Sequence, residues 1–539
     1  MRAGRYPERM ALLVFAAAPA LLLTLGIVLA IAISPWWWVL AAVGLALTVI
    51  AVVDFLQPRN SILRNFPLLG HARFLLEEVR PMIQQYFIER NWDGKPFDRD
   101  VRALIYDRSE GRPSVKSFGT ELEVRQPGYE FLTHSIAPAP LAAEEHRVRI
   151  GGPDCTQPYD ASLFNISSMS YGSLSANAVK AMGAGAAKGG FLHETGEGGL
   201  TQFHLDSGAD IGWEFGSGYF GCRTADGRFS PEAFREKALL PQIRLITLKL
   251  SQGAKPGLGG VLPAPKVTEE IAQIRGVRAF QDCISPPAHS AFSTPRELLE
   301  FIGELRRLSD GKPVGFKLCV GTRRDVLALC KAMRDTGIRP DFIIVDGAEG
   351  GTGAAPLEYQ DHMGTPLTEG LTVLHEALVG AGLRDGIRVG AAGKVASGHD
   401  IVRRLIQGAD FCLAARPMMM AVGCIQAQKC HTDHCPTGIA TQDPRFTRGL
   451  DPVSKGERVF RYHRATVTEV AQLIATLGAR GPHELDRSML MRRISQTRVV
   501  SYAELTDWLR PGQLLTDAPA PWTQDWERAS ADSFAATRV

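Results

Sequence analysis

A (βα)8 barrel is the fold this sequence predicts, from three observations. First, eight short β-rich runs recur between about residues 163 and 415, most followed by a helix-like stretch. Apolar strands alternating with helical patterns imply parallel βαβ units, and eight such units suggest a closed ring. Second, glycine- and charge-rich segments follow six of those runs, where a barrel carries its binding loops. Third, 54 of the 539 residues are glycine, and many sit where a backbone would approach a ligand closely. An open, doubly wound sheet is the alternative topology. No GxGxxG follows a strand, which disfavours a dinucleotide-binding sheet.

From the N-terminus, Met10 to Ile33 is almost wholly apolar and uncharged. At 1.5 Å per residue it reaches about 35 Å, enough to span a bilayer. Ser34-Pro35 breaks it, and Trp36 to Val53 forms a second uncharged run led by three tryptophans of the kind found at headgroups. The expectation over residues 1–56 is a transmembrane hairpin. Arg2, Arg5 and Arg9 before it and Arg59 and Arg64 after it place both ends on the cytoplasmic side of an inner membrane. A cleaved signal peptide would need a small-residue site after a shorter apolar core. Residues 57–108 are amphipathic and charged; they are expected to form a helical collar, a packing element without chemistry.

The eight expected strands are 163–168, 189–193, 244–250, 282–285, 313–319, 341–345, 387–391 and 410–414. After the first comes MSYGSLS, after the second ETGEGG, and after the third SQGAKPGLGG. After the sixth comes DGAEGGTGAAP, with Gly350 and Gly351; after the seventh AAGKVASGHD; after the eighth AARPMM. A phosphate site in a barrel is usually built by the loops after strands seven and eight. Gly393, Lys394, Ser397 and Gly398 offer amides, a cation and a hydroxyl there, and Ala415 and Arg416 add donors. Together the runs predict a phosphate-bearing cofactor.

Cys424, Cys430 and Cys435 stand in GCIQAQKCHTDHCPTGIATQDP, with five and then four residues between them. Thiolates at such spacing can turn toward one inorganic centre. Three cysteines suit a three-iron cluster; His431 and His434 could instead complete a zinc site. The other six cysteines are scattered singly among apolar residues, as buried small hydrophobes are. Hydrophobic content of 45% and charge of 22% fit a globular protein with an ample core, and a net charge of +3 gives no reason to expect nucleic-acid binding.

The succession ISSMSYGSLS, HETGEGG, LKLSQGAKPGLGGVLPAPKV, SPPAHS, DGAEGGTGAAP and GC-x5-C-x4-CPTGIATQDP resembles the synthase domain of glutamate synthases. It is most similar to the short, stand-alone, membrane-anchored members. The resemblance implies an FMN-binding (βα)8 TIM barrel over residues 109–480, a C-terminal extension over 481–539, and a [3Fe-4S] cluster held by Cys424, Cys430 and Cys435. It implies that reduced FMN delivers hydride to the 2-imino form of 2-oxoglutarate. On this mapping Met169, Ser170 and Gly172 lie against the isoalloxazine ring, and Lys249 or Lys317 balances negative charge near N1. Lys255, Lys266 and Gln252 are candidates for a dicarboxylate substrate, and Glu197 and Glu349 for handling protons.

The sequence departs from the large synthases in its first residues, which lead into apolar helix rather than a glutaminase nucleophile. Glutamine hydrolysis is therefore not expected; ammonia or another amine would come free or from a partner. With no nicotinamide fingerprint in view, electrons are expected from an external donor, a ferredoxin or a reductase subunit. A flavin-dependent amino or hydroxy acid dehydrogenase passing electrons outward, or a non-catalytic electron-transfer or assembly protein, are the alternatives.

Overall fold

The computed structural model describes residues 6–506 and 508–535. The chain divides into two compact units at Gly94/Lys95.

The first unit is helical. Helices Tyr6–Ala32 and Trp38–Leu56 are joined by a short turn, Pro35–Trp37, and pack antiparallel through small residues. A Cβ on Gly26 would lie 2.4 Å from the Ala41 backbone nitrogen, and one on Gly44 2.4 Å from that of Leu23. Glycine is what lets the two backbones come this close. Among the described residues, Pro35–Leu56 is the one helix long and apolar enough to cross a membrane, with Ala17–Ala32 a shorter apolar stretch. Helix Leu69–Ile83 and a π-helical turn, Gln84–Ile88, follow.

The second unit is built on a closed ring of eight parallel strands: β1 (Phe164–Ile166), β2 (His193–Glu194), β3 (Ile211–Phe215), β4 (Ile243–Lys249), β5 (Val314–Leu318), β6 (Phe342–Asp346), β7 (Arg388–Ala392) and β8 (Phe411–Ala414). They neighbour one another in sequence order, and β8 closes on β1 through Ala414 opposite Ile166. The ring is closed, so the doubly wound alternative is excluded. β3, β5 and β8 are buried along their whole length, which burial on both faces demands of barrel strands.

The count of eight hides one exchange. The expected strand at 282–285 is not part of the ring: Cys283–Ile284 pairs antiparallel with Val261–Leu262 in an excursion of the chain between β4 and β5. The missing member is β3, whose IGWEF places a glycine and a glutamate in a run of five and so lacks a continuous apolar signature. SQGAKPGLGG accordingly follows the fourth strand, not the third, while the segments after strands six, seven and eight keep their places.

Segments outside the ring belong to the same unit. Helix Arg99–Glu110 and the long helix Pro452–Thr476 pack on it, and Arg108 donates to Thr466 at 3.1 Å. Glu130–Leu132 pairs with Leu490–Arg493, which pairs with Val499–Ser501. The stretch before the barrel is thus stitched to the stretch after it, and residues 490–501 are integral to this unit.

Candidate functional site

The catalytic end of a parallel barrel lies where strands hand over to loops, and here the strand ends carry charge. Register sets the arrangement. Lys249 on β4 stands directly opposite Lys317 on β5, and Glu214 on β3 stands opposite Thr247. Two buried ammonium groups side by side repel, so each needs its own counter-charge. Lys317 Nζ lies 2.5 Å from Glu214 Oε2 and also meets the Ser168 hydroxyl. Lys249 Nζ donates to Glu197 Oε1 at 2.7 Å and to Gln252 Oε1 at 2.8 Å.

Two further carboxylates complete the layer. Glu194, at the end of β2, accepts from the Thr247 hydroxyl at 2.9 Å through Oε1, while its buried Oε2 meets no hydrogen-bond partner among the described residues. Asp346, at the end of β6, accepts from the Gly253 amide at 2.9 Å. Burial pushes the Glu194 carboxyl up to about 7, with Lys317 opposing and Glu214 adding to the rise. Burial raises Asp346 as well. Glu197 goes the other way: burial would raise it, but the Lys249 ammonium outweighs that and holds it below the usual carboxylate range. Burial opposes the charge on Lys317, yet Glu214 keeps that lysine protonated.

Above this layer the rim loops enclose a cavity of about 1230 Å3, lined among others by Lys255, Gly350, Gly351, Lys394 and Arg416, and by all three cysteines. Lys255 is 2% exposed, and no hydrogen-bond partner for its ammonium is found among the described residues. Burial lowers its pKa, and Lys249 nearby lowers it further. Lys394 holds a left-handed backbone at φ 50° just after Gly393, which turns the chain at the end of β7. Arg416 lies 5.0 Å from the Phe97 ring centre and donates to the Glu349 carbonyl at 2.9 Å. That approach depends on Gly351, where a Cβ would sit 2.5 Å from Arg416 Nε. Gly253 plays the same part between rim loops: its Cβ would come 1.8 Å from the Gly347 carbonyl oxygen.

Other expected site residues lie elsewhere. Glu349 lines the cavity but commits Oε2 to the Leu367 amide at 2.9 Å, at the start of helix Leu367–Gly380. Ser397 and Asp400 form a capping box at the start of helix Gly398–Ile406, and Gly398 packs against Glu469. Gly393 faces Leu367 and the Gly347 amide, and Ala415 precedes the short helix Arg416–Val422. Ser170 begins the tight turn that closes at Ser173 and Leu174. Met169 is half-buried against the core, and Gly172, at φ 100°, is enclosed by Leu262, Arg275 and Ile271. Lys249, Gln252, Lys317 and Glu197 belong to the strand-end layer just described.

The cysteine segment leaves the barrel at Gly423, φ 130°, and wraps back over the loop after β1. Lys266 pins it: the 3% exposed ammonium donates to the carbonyls of Ser173 at 2.7 Å, Ala440 at 3.1 Å and Cys430 at 3.3 Å. Gln442 donates to the carbonyls of Gly172 and Leu174, and the Tyr106 hydroxyl donates to the Cys424 carbonyl at 2.8 Å. Burial would raise the Cys435 thiol, but the Thr437 hydroxyl and the amides of Ala440, Thr437 and Ile439 bring it below the ordinary value. Burial pushes Cys424 up to about 12. Among the described residues no three His, Cys, Asp or Glu side chains surround a point that would hold a single metal ion. His434 turns Nδ1 onto the Thr432 carbonyl at 2.6 Å, which leaves Nε2 as its other ring nitrogen. Three soft sulfur donors on one cavity wall are the donor set that an iron–sulfur cluster takes.

Glu194, Glu214 and Asp346 were not among the expected site residues. Their signal is a carboxylate at or near the last position of a buried strand, where an apolar residue would otherwise stand.

A family model described as "Conserved region in glutamate synthase" matches residues 141–480. The glutamate synthase large subunit-like protein YerD of Bacillus subtilis (strain 168) is 34% identical over 497 residues, covering 85% of this chain and 94% of that protein. The archaeal glutamate synthase (NADPH) of Archaeoglobus fulgidus is 34% identical over 314 residues, so the match spans 58% of each chain. Among solved structures, a mandelate oxidase aligns with a TM-score of 0.40 at 14% identity over 75% of this chain and 89% of that one, too distant to inform the chemistry. With well over half of its length matched by the family model and a relative aligned over most of both chains, this protein belongs to the glutamate synthase family.

Proposed function

We propose that the chain is a glutamate-synthase-type oxidoreductase that reductively aminates 2-oxoglutarate, or a related 2-oxo acid, using ammonia or another amine. The observation that carries this reading is a single cavity that joins a buried, unpartnered lysine, Lys255, to two further cations, Lys394 and Arg416, and to three cysteines. FMN fits the cation-lined rim: Lys394 and Arg416, with the glycines at 350, 351 and 393, would hold its phosphate and let its backbone-facing edge approach. A [3Fe-4S] cluster fits Cys424, Cys430 and Cys435 by donor chemistry. When bound, the flavin would supply two-electron reduction and the cluster a route for single electrons from a ferredoxin or reductase subunit.

The chain's own residues do the rest. Lys255 is pre-positioned for an anionic partner, and a substrate carboxylate would supply the charge it lacks. Lys249 and Lys317 are tied into the floor of the site by their dedicated partners, Glu197 and Glu214, which balance their charge. Burial lifts the Glu194 carboxyl to about 7, so it titrates around neutral pH, while Glu214 and Asp346 supply counter-charge to Lys317. The two apolar helices would cross the inner membrane as a hairpin, with the barrel on the cytoplasmic face; exposed Leu21, Val28, Val43 and Val53 support a lipid-facing surface, and Arg59 and Arg64 after the hairpin support the side.

The test is binding and redox chemistry under anaerobic conditions. Protein purified without oxygen should carry FMN and about three irons per chain. The reduced protein should be reoxidised by 2-oxoglutarate with ammonium, yielding glutamate. Lys255→Ala should weaken 2-oxoglutarate binding by about a hundredfold, the loss of one buried charge-assisted contact. Cys430→Ser should lose the iron while keeping much of the flavin. Zinc in place of iron, or glutamate formation unaffected in Lys255→Ala, would sink the reading.

A further inference from the structure

The segment between the apolar hairpin and the barrel is expected to be a packing element, yet its largest side chains are exposed. Leu76 is 61% exposed, Met82 54% and Phe87 84%, and Leu69, Leu75, Tyr86 and Ile88 are exposed too. A soluble helix of 15 residues bare on all sides has little to stabilise it. Plotted at 100° per residue over helix Leu69–Ile83, Leu69, Ala72, Leu75, Leu76, Val79, Met82 and Ile83 fall within an arc of roughly 140°, with Phe74 outside it. Arg80 and Arg73 follow at one edge of that arc and His71 at the other, while Glu77, Glu78, Gln84 and Gln85 occupy the opposite side. Within residues 69–88 Arg73 and Arg80 balance Glu77 and Glu78, and Arg59 and Arg64 precede the helix. Apolar face down and basic edges at the flanks is the pattern of a helix lying in an anionic lipid surface.

The connection to the hairpin fixes where the helix starts. Asp54, 4% exposed near the end of helix Trp38–Leu56, accepts from the Leu68 amide at 3.0 Å and pairs with His71 Nε2 at 2.9 Å. The Gln57 side chain closes the turn by donating to the carbonyls of Asp54 and Asn60. The amphipathic helix therefore begins where the apolar helix ends, which is the depth of the headgroups if that helix spans the bilayer.

We propose that Leu69–Ile83 and the turn Gln84–Ile88 form an interfacial helix, its apolar arc sunk into the cytoplasmic leaflet beside the hairpin and its arginines among anionic headgroups. This rests on the reading of the two apolar helices as a membrane hairpin. The test uses the full chain reconstituted in vesicles of phosphatidylcholine and phosphatidylglycerol, with the photo-crosslinking residue p-benzoylphenylalanine at position 76 or at position 78. Both sites are exposed, so the label disturbs no packing. Lipid adducts should be about tenfold more abundant from position 76 than from 78, as an apolar arc immersed in acyl chains requires. Equal yields, no lipid adduct at 76, or an adduct there to a second copy or another protein would each overturn the proposal. Carbonate washing of the same vesicles separates the two readings: a chain washed off lacks the hairpin, whereas one that stays without lipid adducts at 76 lacks only the interfacial helix.

Discussion

Glu194 sets a pH dependence that belongs to one residue. Its carboxyl is pushed up to about 7 in the fold by burial, against an ordinary value of 4.5 in the open chain. Between those values the folded chain holds a proton that the unfolded chain has released, so stability falls as pH rises from about 4.5 to 7. The expected size is a drop in Tm on the order of 3 °C across that window, removed in Glu194→Gln, which stays neutral throughout. Differential scanning calorimetry of both proteins from pH 5 to 8 checks it; identical slopes would mean that Glu194 ionises freely in the fold. At this scale a cation is legible in the sequence beside a glycine-rich run, and its partner only where it shares such a run, as Glu197 does in ETGEGG. Lys249, Lys255 and Lys317 stand out beside glycine-rich runs. Glu194 and Glu214 read as ordinary polar residues, because only the cross-strand register brings them to Lys317 and Thr247.

Among the elements, the cysteine segment hangs on Lys266. Three carbonyls, from Ser173, Cys430 and Ala440, converge on its ammonium, and no apolar side chain could satisfy them. Lys266→Met should cost about 2–4 kcal/mol of stability and loosen the hold on Cys430. On the proposed cluster assignment, the expected signature is iron content reduced well below that of the parent protein, with the flavin retained; full iron occupancy would show that the segment is held by its other contacts. Lys266 sits in the PAPKV run, far in sequence from the cysteines, so its anchoring role is invisible until the chain is folded. The same limit explains the misplaced strand. A five-residue run with an inward glutamate does not announce a barrel strand, and DCIS, with only two apolar residues of four, stands where the spacing expects one though it belongs to a loop hairpin.

For the whole molecule, the division at Gly94/Lys95 has a direct consequence. A chain starting at Lys95 keeps the closed ring, helix Arg99–Glu110 and the three-stranded sheet that ties residues 130–132 to 490–501. It should fold and melt within about 2 °C of the full protein's barrel transition, since no element of that unit is removed. Ending the chain at residue 480 should instead destabilise the barrel unit markedly, because Leu490 is fully buried and its strand pairs with Glu130–Leu132. Circular dichroism melts of the two truncations decide between an integral C-terminal segment and a dispensable extension.

The sequence by itself determined the barrel class, the paired apolar helices, the three cysteines and the loops that carry the cations, because each is written in local periodicity, composition or spacing. Tertiary structure alone decided which strands close the ring, which carboxylate answers each lysine and what holds the cysteine segment over the loop after β1. Those are contacts between residues distant in the chain, fixed by register across strands and by burial, and no local pattern encodes them.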